Sequence, residues 1–383
     1  MGSTRRGIAV AAAMVVGMTM PVAAQGPAIE EVVSGLNSPR GVALGPDGTL
    51  YVAEAGIGGE APCAEHAELG NMCFGTSGAV HAIVDGSATV LVDGLASGIT
   101  DTGEVIGPSD VTVDGDGTVW FLVGGPAAGS AEFREAIPDG AAEGMGWLYR
   151  MGEGGPEAVA DFAAYETDVN PDADLPGNAE PDSNIHGLAA APEGALVADA
   201  GGNDLLTVGS DGTISTTAVF PVVMEPAPPD PNAEPDPDAE PPMIPMDPVP
   251  TSVAVGPDGA YYVGNLTGFP FPPGGASVFR VAAGEEPTVY ADGFTNVIDV
   301  EFGADGTLYV LEISHAGLAS GDPEAGPPMG GLWMVPSGGG EPALIASDGL
   351  VMPGGLAVAD DGTIYVSTCT VCAGAGGVVS VMP

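Results

Sequence analysis

The polar residues of this 383-residue chain that are spaced for chemistry fall at the same place in six similar phrases. At the start of an apolar run in each phrase stand Arg40, Ser109 with Asp110, Asn184 with His186, Thr251 with Ser252, Asn296 with Asp299, and Gly354 with Gly355. A second apolar run ends on Glu54, Asp199, Asn265 or Glu312 in four of the units. If these runs gather around one axis, Glu54, Asp110, Asn265, Asp299 and Glu312 offer the carboxylate and amide oxygens that a hard cation such as calcium takes. A cation there would polarise an ester or lactone carbonyl while His186 moves a proton. Without a cation, Arg40, Asn184, His186, Thr251, Ser252 and Asn296 form a polar ring suited to a small ligand. Asp and Asn at strand starts serve equally well to cap turn N–H groups. No ordered ligand spacing such as His-Glu-x-x-His selects the metal reading, and the chain has no Gly-x-Ser-x-Gly elbow or Walker loop. His66, His81 and His315 read as ordinary loop or surface residues.

The elements that position these residues follow from the repeat. The phrase Gly41-Val42-Ala43-Leu44, then Asp47-Gly48, then Leu50-Tyr51-Val52 recurs at Asp110 to Phe121, at Gly187 with Glu193-Gly194, at Ser252 with Asp258-Gly259, at Asp299 with Asp305-Gly306, and at Gly355 with Asp361-Gly362. Each is a buried strand, a tight turn whose Gly takes the positive φ, and a second strand. A second hairpin usually follows, as in Ala79 to Val84 with Thr89 to Val92, and four strands make a propeller blade. The sixth unit ends after its third strand, Gly377 to Val381. The missing strand is expected from Ile29 to Val33, which would close the ring and leave no open edge. The sequence therefore predicts an all-β fold, a six-bladed β-propeller whose last blade is completed by the N-terminal strand.

Loop lengths point to a working face. Turns between first and second strands and between third and fourth strands are short, whereas the insertions Ala55 to Gly78, Gly124 to Gly146, Ala163 to Asn184, Pro221 to Pro250 and Ser314 to Met329 all follow second strands or lie between blades. In an up-and-down blade those connections emerge together, and long loops on a rigid scaffold are where binding and catalysis sit. The insertion 221–250 carries 12 Pro and 7 acidic residues and reads as an extended, solvated loop.

Charge excludes some partners. With 52 Asp and Glu against 6 Arg and no Lys, the formal charge is −46, which rules out a grip on nucleic-acid phosphate and repels an anionic membrane. Such a surface repels itself in dilute buffer and is screened at about 1 M salt, where the Debye length is roughly 3 Å, so adaptation to salt is expected. Residues 1–24 carry Arg5 and Arg6, an apolar run from Ile8 to Met20 and small residues at Val22-Ala23-Ala24, the pattern of a signal peptide. Residues 25–383 then form a single exported domain, periplasmic or extracellular, expected to be a monomer without membrane insertion. In that compartment Cys63 with Cys73 and Cys369 with Cys372 read as two disulfides, with a four-thiolate zinc site as the alternative.

The phrases Asp199-Ala200-Gly201-Gly202-Asn203-Asp204-Leu205-Leu206, Val249-Pro250-Thr251-Ser252-Val253-Ala254-Val255-Gly256-Pro257-Asp258-Gly259 and Leu266-Thr267-Gly268-Phe269-Pro270-Phe271-Pro272 closely resemble the ScyD/ScyE family. The resemblance extends over nearly the whole chain, including Pro39-Arg40-Gly41 and Gly293-Phe294-Thr295-Asn296. It implies an exported propeller akin to NHL repeats and brings no catalytic residues with it. This chain departs at Asn265, where the family commonly has Glu, and in the enlarged acidic insertion. Two functions stand side by side: a ligand- or protein-binding scaffold that uses the long-loop face, and a metal-dependent hydrolase or lactonase at the channel mouth.

Overall fold

Four of the repeated phrases show a hairpin turn closed from both sides, by a glycine and by an aspartate. Gly48, Gly117, Gly259, Gly306 and Gly362 have φ between 77° and 87°, where a Cβ would be strained. The Asp47 carboxylate accepts the Thr49 N–H at 3.0 Å, and Asp258, Asp305 and Asp361 reach two residues on in the same way. These contacts are seen in a computed structural model that describes residues 27–66, 70–125, 136–192, 194–228, 241–320 and 327–383. The leader expected at 1–24, the turn residue Glu193 and the stretch 229–240 of the Pro-rich insertion lie outside the described residues.

The fold is all-β, built of antiparallel sheets. The second sheet orders Pro108–Val113, Val119–Val123, Trp147–Gly152 and Gly155–Asp161; the third orders Ile185–Ala191, Gly194–Asp199, Asp204–Gly209 and Ile214–Val219. The fourth runs Pro250–Val255, Tyr261–Asn265, Ala276–Val281 and Thr288–Phe294, and the fifth Val297–Phe302, Leu308–Glu312, Gly331–Val335 and Ala343–Ala346. In the sixth, Leu356–Val358, Ile364–Thr368 and Gly376–Met382 are joined by Ala28–Leu36, with Ile29 opposite Val381 and Val33 opposite Val378. The N-terminal strand thus takes the expected place.

The first sheet departs from expectation. Its core strands are Pro39–Leu44, Leu50–Glu54, Gly70–Val84 and Ser87–Thr100, and the last two are far longer than their counterparts. Much of Ala55 to Gly78, expected to be loop, is sheet: Cys63–His66 pairs with the start of Gly70–Val84, and Val105–Ile106 adds to the far side. The Cys63–Cys73 disulfide joins a cross-strand pair in this extension, and Cys369–Cys372 forms the second. Two other expected loops contain regular structure. Ala163 to Asn184 holds most of helix Phe162–Val169, capped by the Asp161 carboxylate accepting from Ala164 N at 3.0 Å. In the Pro-rich insertion, Val223–Pro226 pairs with Met243–Met246. Proline is tolerated there because each strand of a two-stranded ribbon keeps an outward edge that needs no N–H.

Both faces of the sheets are buried, so inner strands read as continuous apolar runs rather than alternating ones. The core lies between sheets. Val80 and Phe121 join the first sheet to the second, Leu148 and Val197 the second to the third, and Leu205 and Val263 the third to the fourth. Val278 with Val310, Leu332 with Val366, and Val378 with Val52 continue the series until the sixth sheet packs on the first.

Candidate functional site

The first strands of the sheets face one another so closely that side chains are excluded at several positions. A Cβ on Gly187 would lie 2.5 Å from Ser252 Cα and 2.6 Å from the Thr251 carbonyl oxygen, and one on Gly355 would lie 2.7 Å from Gly41 Cα. At the same level the second and fifth sheets carry Asp110 and Asp299. Each is tied by two backbone N–H groups. Asp110 accepts from Val111 at 2.8 Å and from Leu188 of the next sheet at 2.7 Å; Asp299 accepts from Val300 at 2.8 Å and Leu356 of the next sheet at 2.7 Å. Both carboxylates therefore staple neighbouring inner strands across a glycine.

A cavity of about 170 Å³ lies beside this layer, lined by Asp110, Asp299, Glu301 and Thr112 and running to Leu44 and Val358. Those last residues end inner strands, so the space lies toward the short Asp-Gly turns. On the other side, Ser109, His186, Thr251, Ile298 and Gly354 close in until no water-sized volume is left. Burial pushes Asp110 up to about 7 against the pull of its two N–H donors, and Glu301 adds to the rise. Burial, then the Asp110 charge, holds Asp299 well above the carboxylate range, and burial lifts Glu301 to about 7.

His186 stands one residue before this layer. Its Nδ1 is 2.8 Å from the Thr251 carbonyl oxygen; a carbonyl only accepts, so Nδ1 carries the proton and Nε2 is left as an acceptor. Burial, then the Arg40 charge, lowers its pKa to about 4, so the ring is neutral at neutral pH. Burial also lowers the Arg40 pKa against the raising influence of Glu104, and its guanidinium donates to the Val105 carbonyl at 2.5 Å.

The remaining candidates are committed to partners in their own or the adjoining sheet. Thr251 donates to the Val297 carbonyl at 2.8 Å, while Ser252 is buried. Asn296 donates to the Leu266 carbonyl at 3.1 Å and accepts from Leu318 N at 2.9 Å. The acids that end second strands share one task, which is to fix the chain as it enters the inner strand. Glu54 accepts from Asn37 at 2.9 Å, Asp199 from Ser183 Oγ at 2.6 Å and Asn184 N at 2.7 Å, and Glu312 from Thr295 N at 2.7 Å. Asn265 instead accepts from Ser277 N at 2.6 Å. The structure thus brings Asp110, His186, Thr251 and Asp299 together and turns Glu54, Asn265 and Glu312 back onto their own sheets. Among the described residues, no three His, Cys, Asp or Glu side chains are disposed as they stand to hold one metal ion.

One histidine departs from the loop or surface role expected of it, and His315 keeps that role while gaining a buried partner. His81 is buried, with Nε2 2.9 Å from Glu54 Oε2. Burial acts to raise the Glu54 pKa, but hydrogen bonds from His81 and Asn37 outweigh it and the net shift is downward. His315 Nδ1 lies 2.6 Å from the buried Glu312 carboxylate, whose pKa burial raises overall. Glu301 was visible only as an acid inside an apolar run. Glu166 and Asp204, both buried, were missed altogether; the signal was the pair of acids, Asp199 and Asp204, at the two ends of one tight hairpin.

The architecture is that of a β-propeller. Among solved structures, the chain is similar to regucalcin, a calcium-binding protein from Agrobacterium tumefaciens, with a TM-score of 0.50 at 11% identity over 93% of each chain. It is also similar to a catalytically inactive virginiamycin B lyase from Staphylococcus aureus solved with quinupristin (TM-score 0.45, 14% identity, 89% of this chain and 81% of that one). A third similarity is to the PQQ-bound aldose sugar dehydrogenase of Streptomyces coelicolor (TM-score 0.46, 13% identity, 93% and 98%). At these identities the likeness speaks to the fold alone. No family model matches the chain, and no curated protein matches it in sequence.

Proposed function

We propose that this chain is an exported, salt-adapted, six-bladed propeller of the ScyD/ScyE kind, forming one domain over residues 25–383, that binds a small molecule or a protein on its long-loop face without catalysing a reaction. The observation that carries this reading is where exposed apolar side chains lie. Of the fourteen large apolar side chains exposed among the described residues, Val84, Val90, Leu91, Val255, Val289, Leu344 and Met382 are scattered over strands of four different sheets, while Ile57, Val169, Val223, Met224, Met243, Phe269 and Met329 fall in the connections after second strands or between sheets. Exposed apolar surface of this kind marks a contact face, and the extended first sheet with its disulfide gives that face a rigid wall. The groups a hydrolase would use are otherwise engaged: Asp110 and Asp299 hold backbone N–H groups, and His186 is neutral and tied to Thr251. Two disulfides fit an oxidising compartment, and among the described residues no helix is long and apolar enough to cross a membrane.

The test is a panel of lactones and esters assayed with and without added calcium, run in parallel with wild-type protein and with Asp110→Asn and His186→Ala variants. No turnover is expected in any combination. Wild-type turnover lost in both variants would overturn the binding reading in favour of a channel hydrolase. Apolar dyes and hydrophobic small molecules should raise the melting temperature, and Phe269→Ser with Ile57→Ser should reduce that rise.

A further inference from the structure

Away from the channel, the third sheet and the helix Phe162–Val169 enclose a group of acids that the proposed function does not use. Asp199 and Asp204 face each other as a cross-strand pair at the base of the turn Ala200 to Asn203, an arrangement in which like charges repel. Glu166 projects from the helix, and Asp172 follows it in the chain, accepting from Asn203 Nδ2 at 2.9 Å. All four are buried, Asp204 completely and Glu166 to 1% exposure. Asp199 is satisfied by four donors: Ser183 Oγ and the N–H groups of Asn184, Gly201 and Gly202. Both oxygens of Asp204 and Oε1 of Glu166 have no hydrogen-bond partner. No Arg or His is among the groups that act electrostatically on Glu166, Asp172 or Asp204; their neighbours in that sense are one another, Asp199, Asp182 and Asp247.

Three orphan carboxylate oxygens in one buried place are an unusual cost, because a buried charge is normally paired or coordinates a metal. A single water has only two protons to offer and leaves the charge in place. Glu166 Oε2, Asp199 Cγ and the Asp182 carbonyl oxygen all lie around Gly202, 3.4, 3.4 and 3.6 Å from where its Cβ would be. The donors are all hard oxygens, with no His or Cys among them, which disfavours zinc, and calcium accepts irregular sets of carboxylate and carbonyl oxygens more readily than magnesium does.

We propose that Glu166 and Asp204, supported by Asp172 and the Asp182 carbonyl, bind a calcium ion that pins the helix Phe162–Val169 to the third sheet. Two carboxylates completed by carbonyl oxygens and water can hold calcium, and among the described residues no three acids converge on one point as they stand. The bound ion neutralises the Asp199–Asp204 repulsion and locks one of the long connections of the binding face.

The experiment uses the full exported chain in 1 M NaCl, where surface acids are screened. It is stripped with chelator and titrated with CaCl2 or MgCl2 by calorimetry and thermal unfolding, with bound metal counted by elemental analysis. Wild type should retain one calcium per chain, and at a hundredfold excess over Kd the unfolding constant should fall about 100-fold, with magnesium much weaker. Asp204→Asn and Glu166→Gln should each lose the ion and the calcium-dependent shift. Should Asp204→Asn not fold, Glu166→Gln and the wild-type titration still decide the matter. Asp110→Asn should keep the ion; if it is Asp110→Asn that loses calcium, the ion sits in the channel and the proposal fails. It also fails if wild type binds no calcium and Asp204→Asn is simply more stable, since the acids then hold protons only. Neither result bears on the apolar contact face.

Discussion

Replacing Gly187 by Ala tests the arrangement of inner strands most directly. Gly187 does not use the positive-φ region, so the substitution carries no backbone strain and its cost is steric. The added Cβ would meet Ser252 Cα at 2.5 Å, the Thr251 carbonyl oxygen at 2.6 Å and Ser252 N at 2.9 Å. All three are backbone atoms of the neighbouring sheet, so no side chain can rotate away and the two inner strands must separate. Overpacking of this kind costs about 1–3 kcal/mol, and a contact limited to backbone belongs at the upper end. At ~2.1 cal/mol/K of unfolding entropy per residue, a loss of about 3 kcal/mol lowers the Tm of a chain this size by roughly 4 °C. Gly48→Ala provides the contrast. Gly48 has φ of 81° with nothing within 4 Å of its Cβ position, so only left-handed strain of about 1–2 kcal/mol applies.

The Thr251 carbonyl that blocks a Cβ on Gly187 is also the acceptor for His186 Nδ1. Separating the strands breaks that bond and admits water to the ring, so the His186 pKa should rise from about 4 toward its ordinary value of 6.5. Urea and thermal unfolding followed by circular dichroism measure the first effect, and NMR titration of the imidazole protons measures the second. A Gly187→Ala protein with a wild-type Tm and an unmoved His186 would refute the close approach.

Two further outcomes are expected. Thermal stability should rise from low to molar NaCl because screening relieves repulsion among the 52 acidic residues; a Tm that stays flat or falls counts against salt adaptation. Burial lifts Glu301 to about 7, so between about pH 4.5 and 7 the folded chain holds a proton that the unfolded chain has lost, and stability falls as pH rises through that window. Glu301→Gln should flatten the slope by at most ~1.4 kcal/mol per pH unit, read from urea unfolding at fixed ionic strength between pH 5 and 7.5. An unchanged slope would place the titrating proton elsewhere.

The sheets were legible because each begins with a local signal, an Asp-Gly turn (Glu-Gly in the third) between two apolar runs, that needs no distant contact to act. The pairing of Ile29 with Val381 was legible for a different reason: an unpaired third strand demands a partner. What could not be read was the direction of side chains at strand ends. Glu54 and Glu312 end strands just as a channel ligand would, yet they turn back because Asn37 and Thr295 N–H need acceptors where the chain enters the next inner strand. The extra strands of the first sheet were hidden because Cys63–His66 pairs on one side only and needs no apolar alternation. Helix Phe162–Val169 did carry its own signal, an Asp cap ahead of Phe-Ala-Ala-Tyr-Glu, but eight residues are too few to stand out beside a strand-length repeat.

The pairing that completes the sixth sheet joins residues 28–36 to residues 376–382, almost the full length of the chain. Every other sheet is assembled from consecutive strands and can form as soon as its own segment is available. The sixth cannot, because its outermost strand, Ala28–Leu36, and that strand's neighbour, Gly376–Met382, are separated by all the other sheets. Until that seam is sewn, Ala28–Leu36 is a loose, partly apolar thread and Gly376–Met382 an open sheet edge, each able to pair with another copy. Loop closure over such a separation is slow as well as entropically costly. The Val33, Val52 and Val378 cluster that welds the sixth sheet to the first therefore depends on contacts among the longest in sequence separation in the fold, and so on that same slow closure.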